Sequence, residues 1–440
     1  AIEWASQNGV LASKWLYPNG DWSAAAFIMD GYYDFPPPGY TPNFTQPDSF
    51  EQVIENYKTV EDLFKEFNLK YTAAVIFRQN STLRWDAGYN LTYWDAGKAA
   101  LNKIKEEGNN LALGAYDYID YGKLARDRMK KAVALLAKGR KAMQDIFGVT
   151  DPAYVFSFVP EEVITSNEVY LAAYRAGFDI MVGGIYKTDF PYDLYGSIYP
   201  YYLNGAYEQT AEGWKPTAVV LENNFYFDSI TEATDLYYWV DVYARGGVLI
   251  TRVSPWQIYD LPITLDRLRG LIQEMQSEHD DIWWTTVEDL GRYFMDRSKV
   301  SLTATSEDAG GTIFVTVKNN GEDALKGFTI KVRLDDQSKM EYRYISRPMK
   351  VKSVKVGGTK LEQGKDWALK DLVADKWPGA LFIWTDLDPG QEKTFEIKTT
   401  RAMVLPWAQI MMFPIFFFGI FLGWYLLIRK PPQPIEEPAP

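Results

Sequence analysis

From residue 22 to residue 296, short apolar runs alternate with stretches of helical periodicity. Strands are expected at Ser23–Met29, Tyr71–Phe77, Leu111–Tyr116, Tyr154–Val159, Phe178–Val182, Ala218–Leu221, Val248–Thr251 and Ile282–Thr285. Helical patterns fill the intervals at Ser49–Phe67, Asp95–Glu107, Lys123–Phe147, Asn167–Ala176, Ile230–Arg245, Leu265–Glu278 and Val287–Met295. Ser49 and Gln52 have capping-box spacing, and Thr264 is placed as an N-cap. Such alternation implies parallel strands joined by helical crossovers. The expected fold class is α/β, a (β/α)7-8 barrel that is complete or partly open, with ligands at the C-terminal strand ends.

Residues 299–400 change character. Val300–Thr305, Thr312–Lys318, Phe328–Leu334, Val351–Val356, Leu381–Thr385 and Thr394–Lys398 alternate apolar and polar residues, separated by turns such as Asn319-Asn320-Gly321. This is the pattern of an antiparallel, Ig-like β-sandwich. Met403 to Ile428 then runs without a charge, long enough to span a hydrocarbon core of about 30 Å as a helix. The competing reading is a buried core helix. The expected organisation is a barrel over 1–297, a sandwich stalk over 298–402, a transmembrane helix over 403–428 and a Pro-rich cytoplasmic tail over 429–440. The flanking charges, Lys398 and Arg401 against Arg429 and Lys430, give no orientation. A start at Ala1 and the sequons at Asn43, Asn80 and Asn90 favour the cell surface, with residues 1–402 outside. A tail-anchored cytosolic protein is the alternative.

Composition closes several routes. A net charge of -12 argues against nucleic acid as a partner. With no cysteine, disulfides, zinc fingers and thiol catalysis are absent. One histidine, His279, leaves no His-rich metal site or proton relay, and its place in Glu278-His279-Asp280 reads as a solvated helix end. No phosphate-binding glycine loop follows a strand, so no nucleotide is expected.

Several phrases then fall into a known order. They are Phe27-Ile28-Met29-Asp30-Gly31, Gly114-Ala115-Tyr116-Asp117-Tyr118-Ile119-Asp120, Val155-Phe156-Ser157-Phe158-Val159-Pro160, Ala176-Gly177-Phe178-Asp179, Val248-Leu249-Ile250-Thr251 and Trp283-Trp284-Thr285-Thr286-Val287-Glu288-Asp289-Leu290. Over residues 20–296 this resembles the polysaccharide deacetylase, or NodB-homology, carbohydrate esterase fold. The resemblance implies a deacetylase-like barrel with a metal at its mouth. It also implies a chemical deficit. Met29 stands where the family has its base, and Asp30 alone matches a metal ligand. Tyr116 and Asp120 fall at the positions of the two metal-binding histidines. Thr251-Arg252-Val253 falls where the family has its acid histidine, and Ser157 or Phe158 where it has an arginine. The implied protein is catalytically degenerate, because the family mechanism needs three histidines.

Other chemistry stays open beside that reading. Asp30, Asp34, Asp117 and Asp120 would suit Ca²⁺ or Mg²⁺ through oxygen ligands, although no cofactor is expected. Asp30 with Glu161, Glu162 or Glu222 would be paired acids for glycoside hydrolysis; the bland reading of all these acids is solvated loops and helix caps.

Aromatics make up 16% of the chain and crowd the loops. Tyr32, Tyr33, Tyr186, Tyr192, Phe225, Tyr226 and Trp256 would lie on the ligand-bearing face. They read as loop packing, contact with other envelope or membrane proteins, or contact with glycans. The expected function is a surface-anchored structural or binding module, with an envelope carbohydrate hydrolase as the alternative.

Overall fold

A computed structural model describes residues 4–7, 10–32, 50–78, 91–117, 119, 121–156, 167–183, 198–210, 213–222, 225–227, 235–253, 255, 261–307, 311–334, 344–345, 350–372, 377–400 and 405–406. The first strands, β1 (Trp4–Gln7) and β2 (Val10–Lys14), form a hairpin. The alternating region follows as β3 (Ser23–Tyr32), α1 (Phe50–Glu66), β4 (Tyr71–Arg78), α2 (Leu91–Glu106), β5 (Asn110–Asp117), α3 (Tyr121–Phe147), β6 (Tyr154–Val155), α4 (Asn167–Arg175) and β7 (Ile180–Gly183). It continues through β8 (Tyr201–Tyr202), the hairpin of β9 (Tyr207–Thr210) and β10 (Gly213–Pro216), β11 (Val219–Glu222), β12 (Phe225–Phe227), α5 (Asp235–Ala244), β13 (Val248–Val253), α6 (Leu261–Glu278), β14 (Ile282–Thr285) and α7 (Val287–Ser298).

One sheet collects these strands in the order β12-β13-β3-β4-β5-β6-β7-β11-β8, parallel throughout except for β8. The long β3 uses one edge for β13. Its other edge takes β14 at residues 23–26 and then β4 from Phe27 onward. The sheet must curl. β11 and β12 lie at opposite ends of the parallel run, yet Glu222 ends one and Phe225 begins the other, at most about 11 Å apart along the chain. Laid flat, seven strand spacings would separate them by about 34 Å. The result is an α/β half-barrel, open between β11 and β12.

Its strands are apolar on both faces, as parallel strands under helices must be. Along β3, Ala25, Phe27 and Met29 join the cluster packed under the helices, whereas Ala24, Ala26 and Ile28 join the inner cluster. The inner cluster also takes Ala74, Ala112, Val182, Leu221 and Ile250, and is filled from one end by Val287, Leu290 and Phe294 of α7. Small residues on these strands leave room for that helix. A Cβ added to Gly291 would lie 2.7 Å from Ile180 Cγ2, so α7 approaches the wall more closely than any side chain allows.

The alternating region departs from the sequence expectation at β8, β9, β10 and β12, which no expected strand covers, and at one helix cap. Helix α6 begins at Leu261, so Thr264 is an interior residue of that helix, 2% exposed, and not its N-cap. Pro262 suits the first turn, where its missing N–H has no partner to lose. The cap that the structure does show is Thr286, whose hydroxyl accepts from the Asp289 N–H at 3.2 Å to start α7.

The second unit holds β15 (Val300–Glu307), β16 (Thr312–Asn319), β17 (Leu325–Arg333), β18 (Tyr344–Ile345), β19 (Val351–Val356), β20 (Thr359–Lys360), β21 (Trp367–Leu372), β22 (Trp377–Leu387), β23 (Glu392–Thr399) and β24 (Leu405–Pro406). Two five-stranded antiparallel sheets, β1-β2-β17-β22-β21 and β15-β16-β23-β19-β20, share one core of Ile313, Val315, Phe328, Ile330, Leu381, Ile383, Phe395 and Ile397. The barrel boundary drawn at residue 1 therefore shifts. Residues 4–14 belong to this unit, because Ala12, Ser13 and Lys14 pair with Val332, Lys331 and Ile330.

Leu405–Pro406 pair as strand with Tyr344–Ile345, so a helix expected from Met403 starts no earlier than Trp407. Residues 407–440, with the expected span and tail, lie outside the described residues. Among the described residues no helix is long and apolar enough to cross a membrane.

Candidate functional site

The barrel has two chemically different ends. At the end where strands begin, α7 and the second unit close it. Trp15, Trp22 and Phe382 belong to the same cluster as the inner barrel residues, with Trp15 stacked on Trp22 at 5.3 Å. Tyr17 donates to the Gly246 carbonyl just before β13 at 2.8 Å. Arg297 donates to the Lys14 carbonyl at 2.7 Å, and Lys14 donates to the Val300 carbonyl at 3.0 Å. Thr72 at the start of β4 donates to Glu288 Oε2 at 2.8 Å, and Asn110 at the start of β5 donates to Thr286 at 2.8 Å. Burial pushes the Glu288 carboxyl up to about 7, against the pull of these hydrogen bonds. Burial and Arg333 bring the Lys331 amine down to about 8; it lies over the Trp15 ring at 4.3 Å.

The opposite end, where parallel strands finish, is the candidate site. Met29 is fully buried under the helices, in the cluster that holds Tyr57, Val60 and Phe64 of α1. A thioether there offers neither a proton acceptor at ordinary pH nor a hard-metal ligand. Asp30 lies in a register irregularity between Met29 and Tyr32, placed by its backbone alone. Tyr116 is half-buried against the helix-side cluster, 6.3 Å from the Phe77 ring.

Arg252 is a charged group on the inner wall among the described side chains. Val248 and Ile250 belong to the inner cluster and Leu249 and Val253 to the outer one, so Arg252 alternates inward. It is 1% exposed, and its Nη2 donates to the Phe156 carbonyl where β6 ends, four strands away in the sheet order. The guanidinium thus braces opposite walls near the mouth. Glu222 follows the contrary alternation. Val219 and Leu221 are inner residues, so Glu222 lies on the helix side, and Tyr201 donates to its Oε1 at 2.7 Å. Burial, Tyr170 and Glu222 all hold the Tyr201 hydroxyl well above its ordinary range.

Of the proposed acid pair, Glu222 is thus placed on the helix side of the sheet, and the side chain of Asp30 lies outside the described ones. Glu161, Asp120, Tyr33, Tyr186, Tyr192, Trp256, Asn43, Asn80 and Asn90 lie outside the described residues. Tyr32, Phe225 and Tyr226 are placed by backbone only, in β3 and β12. Three other tyrosines of the aromatic stretch after the fifth expected strand tie it to the barrel: Tyr199 donates to the Arg245 carbonyl, Tyr201 to Glu222 and Tyr202 to the Phe294 carbonyl. For these three, loop packing is the observed role.

No group of three or more His, Asp or Glu side chains forms a metal cluster among the described residues. His279 is far from the mouth. It precedes β14 at the closed end and stacks on Tyr243 with ring centroids 3.6 Å apart.

No family model and no curated protein matches the chain. Solved structures give remote likenesses. A probable polysaccharide deacetylase from Pseudomonas aeruginosa matches with a TM-score of 0.42 and 15% identity, over 63% of this chain and 92% of that one. A polysaccharide deacetylase from Bacillus cereus matches at 0.30 and 8%, over 60% and 91%. The carbohydrate deacetylase Agd3 matches at 0.36 and 12%, over 90% and 67%. The strand order of the chain itself, a parallel half-barrel followed by two antiparallel sheets, is what defines the class.

Proposed function

We propose that this protein is a catalytically degenerate, deacetylase-like barrel that serves as a structural or binding module at a cell surface. The observation that carries this reading is the position of its one histidine, stacked on Tyr243 at the closed end of the barrel. An imidazole there cannot take or give a proton at the mouth. The thioether of Met29, packed under α1, and the arginine at 252, braced against Phe156, support the same conclusion.

The uncharged run over 403–428 supports anchoring, with the barrel held outward. The second unit docks at the closed end, so a stalk of this kind would leave the mouth facing away from the membrane. The aromatic residues that the sequence sets in the loops after the strands favour glycans or neighbouring envelope proteins as partners. Metal analysis and an acetyl-release assay on N-acetylated oligosaccharides, with added Zn²⁺ or Co²⁺, test the reading. The expected result is no turnover above the blank. Metal-dependent release that disappears in Asp30→Ala would overturn it. Partition of the full chain into detergent, lost when 403–428 is deleted, is the expected outcome for the anchor.

A further inference from the structure

We propose that the exposed face of α3 is a docking site for an anionic polysaccharide, formed by Arg128, Lys130, Lys131, Lys138 and Lys141. It lies on the outer wall of the barrel, apart from the interior, and does not depend on the function proposed above. Between Tyr121 and Phe147 the helix carries eight Lys or Arg against two Asp, in a chain whose net charge is -12. That is +6 on one helix and -18 on everything else. After a break at Arg128 the helix winds regularly to Phe147. Lys130, Lys131, Ala134, Ala137, Lys138 and Lys141 are all exposed and fall within about 120° of arc on one face. The opposite face, with Ala132, Leu136, Gly139, Met143 and Phe147, is buried. A Cβ on Gly139 would lie 2.6 Å from Leu113 Cδ2 of β5, so the helix is pressed to the sheet and its outward face is set.

Folding alone does not call for this segregation. Lys138 and Lys141 stand three residues apart, where like charges are neighbours and oppose the helix. The helix dipole favours cations in the last turn, but the last turn of α3 has none. Nor do neighbouring acids cancel the charge. Lys141 pairs with Asp145 at 2.6 Å, but 73% and 53% of the two side chains are exposed, so water screens the pair. Arg128, Lys130, Lys131 and Lys138 make no ion pair among the described residues.

The chemistry of the face selects its partner. From Lys130 to Lys141 the cations extend about 16 Å along the helix axis, with Ala134 and Ala137 as a low floor between them. No large apolar side chain of α3 is exposed. A helix that lies on a membrane needs an apolar face to bury in the lipid, and a protein partner needs an aromatic or apolar anchor. This face offers neither. Its ammonium groups are compact, hydrated point charges on flexible stems, which suit a hydrated polymer that carries carboxylates along its length. Screening over about 8 Å at physiological salt lets the stripe hold such a polymer although the rest of the chain is acidic.

Fluorescence anisotropy of labelled oligogalacturonate, titrated with the full chain in non-ionic detergent, tests this. Binding is expected at low salt, with about a tenfold loss on raising salt fourfold, as counterions return to the polymer. Neutral dextran should not compete. The combined variant Lys130→Gln, Lys131→Gln, Lys138→Gln should bind about tenfold more weakly or worse. Ala134→Glu, which sets one acid in the middle of the floor, should weaken binding about threefold or more. No binding at low salt, competition by dextran, or unchanged affinity in the combined variant overturns the proposal. Should that variant fail to fold, unchanged affinity in Ala134→Glu overturns it alone. Tighter binding of polyglutamate, or of mixed micelles carrying phosphatidylglycerol, would assign the face to an acidic protein or a membrane and overturn it equally.

Discussion

The two ends of the half-barrel use the same strands for opposite purposes. At the closed end, α7 fills the interior, Gly291 lets it touch the wall, and the second unit seals the rim with Trp15, Trp22 and Phe382. At the open end the inward-facing Arg252 donates through Nη2 to the Phe156 carbonyl, four strands away. The contacts described between the two units lie at the closed end, where the strands begin.

The largest expected effect tests the closed end. Gly291→Leu drives a side chain into Ile180 with no space to relax, and should cost about 3 kcal/mol or more. A fall in the thermal midpoint of both units together would show that α7 couples them, and a fall in the barrel alone would separate them. Next comes Arg252→Met. It leaves the Phe156 carbonyl without its charged donor, a loss of about 2 kcal/mol in denaturant unfolding. If binding of a glycan partner collapses while stability holds, Arg252 is a ligand contact and the contrast between the ends is drawn wrongly.

The smallest effect depends on pH. Glu288 has a folded pKa near 7, above its ordinary value, so its cost appears as pH rises from about 4.5 and is complete above 7. Glu288→Gln should therefore be more stable than the parent at pH 8, by about 1–2 kcal/mol, and should lose that margin as pH falls to 5. Thermal melts at the two pH values measure it. An equal margin at both would mean that the carboxyl is not buried as a charge.

Much of the architecture was legible locally. Many strand and helix positions from Tyr71 to Met295 follow from apolar period, because a chain segment meets its sheet or helix layer every second or every 3.6 residues regardless of what lies beyond; the short strands β8, β9, β10 and β12 do not. The single histidine was legible as well, since a count needs no coordinates. The long pairings were not legible. Nothing in Val10–Lys14 names Ile330–Val332 as its partner, and a short strand reads the same whichever sheet receives it. Thr264 has the residue type of a cap, yet the helix begins earlier, at Leu261.

The candidate site divides the same way. Met29, Tyr116 and Arg252 were identifiable by position along the chain, but their directions were not. Alternation sets neighbours on opposite faces, and only the assembled layers say which face is the barrel's interior and which lies under helices. Glu222 looked like a strand-end acid from sequence; the fold turned it towards Tyr201. The sequence alone settled most segment types and the count of one histidine, because both depend on residues taken singly or a few at a time. Tertiary structure decided which end is sealed, where His279 sits and that Lys370 meets Asp281, because those depend on contacts between segments far apart in the chain.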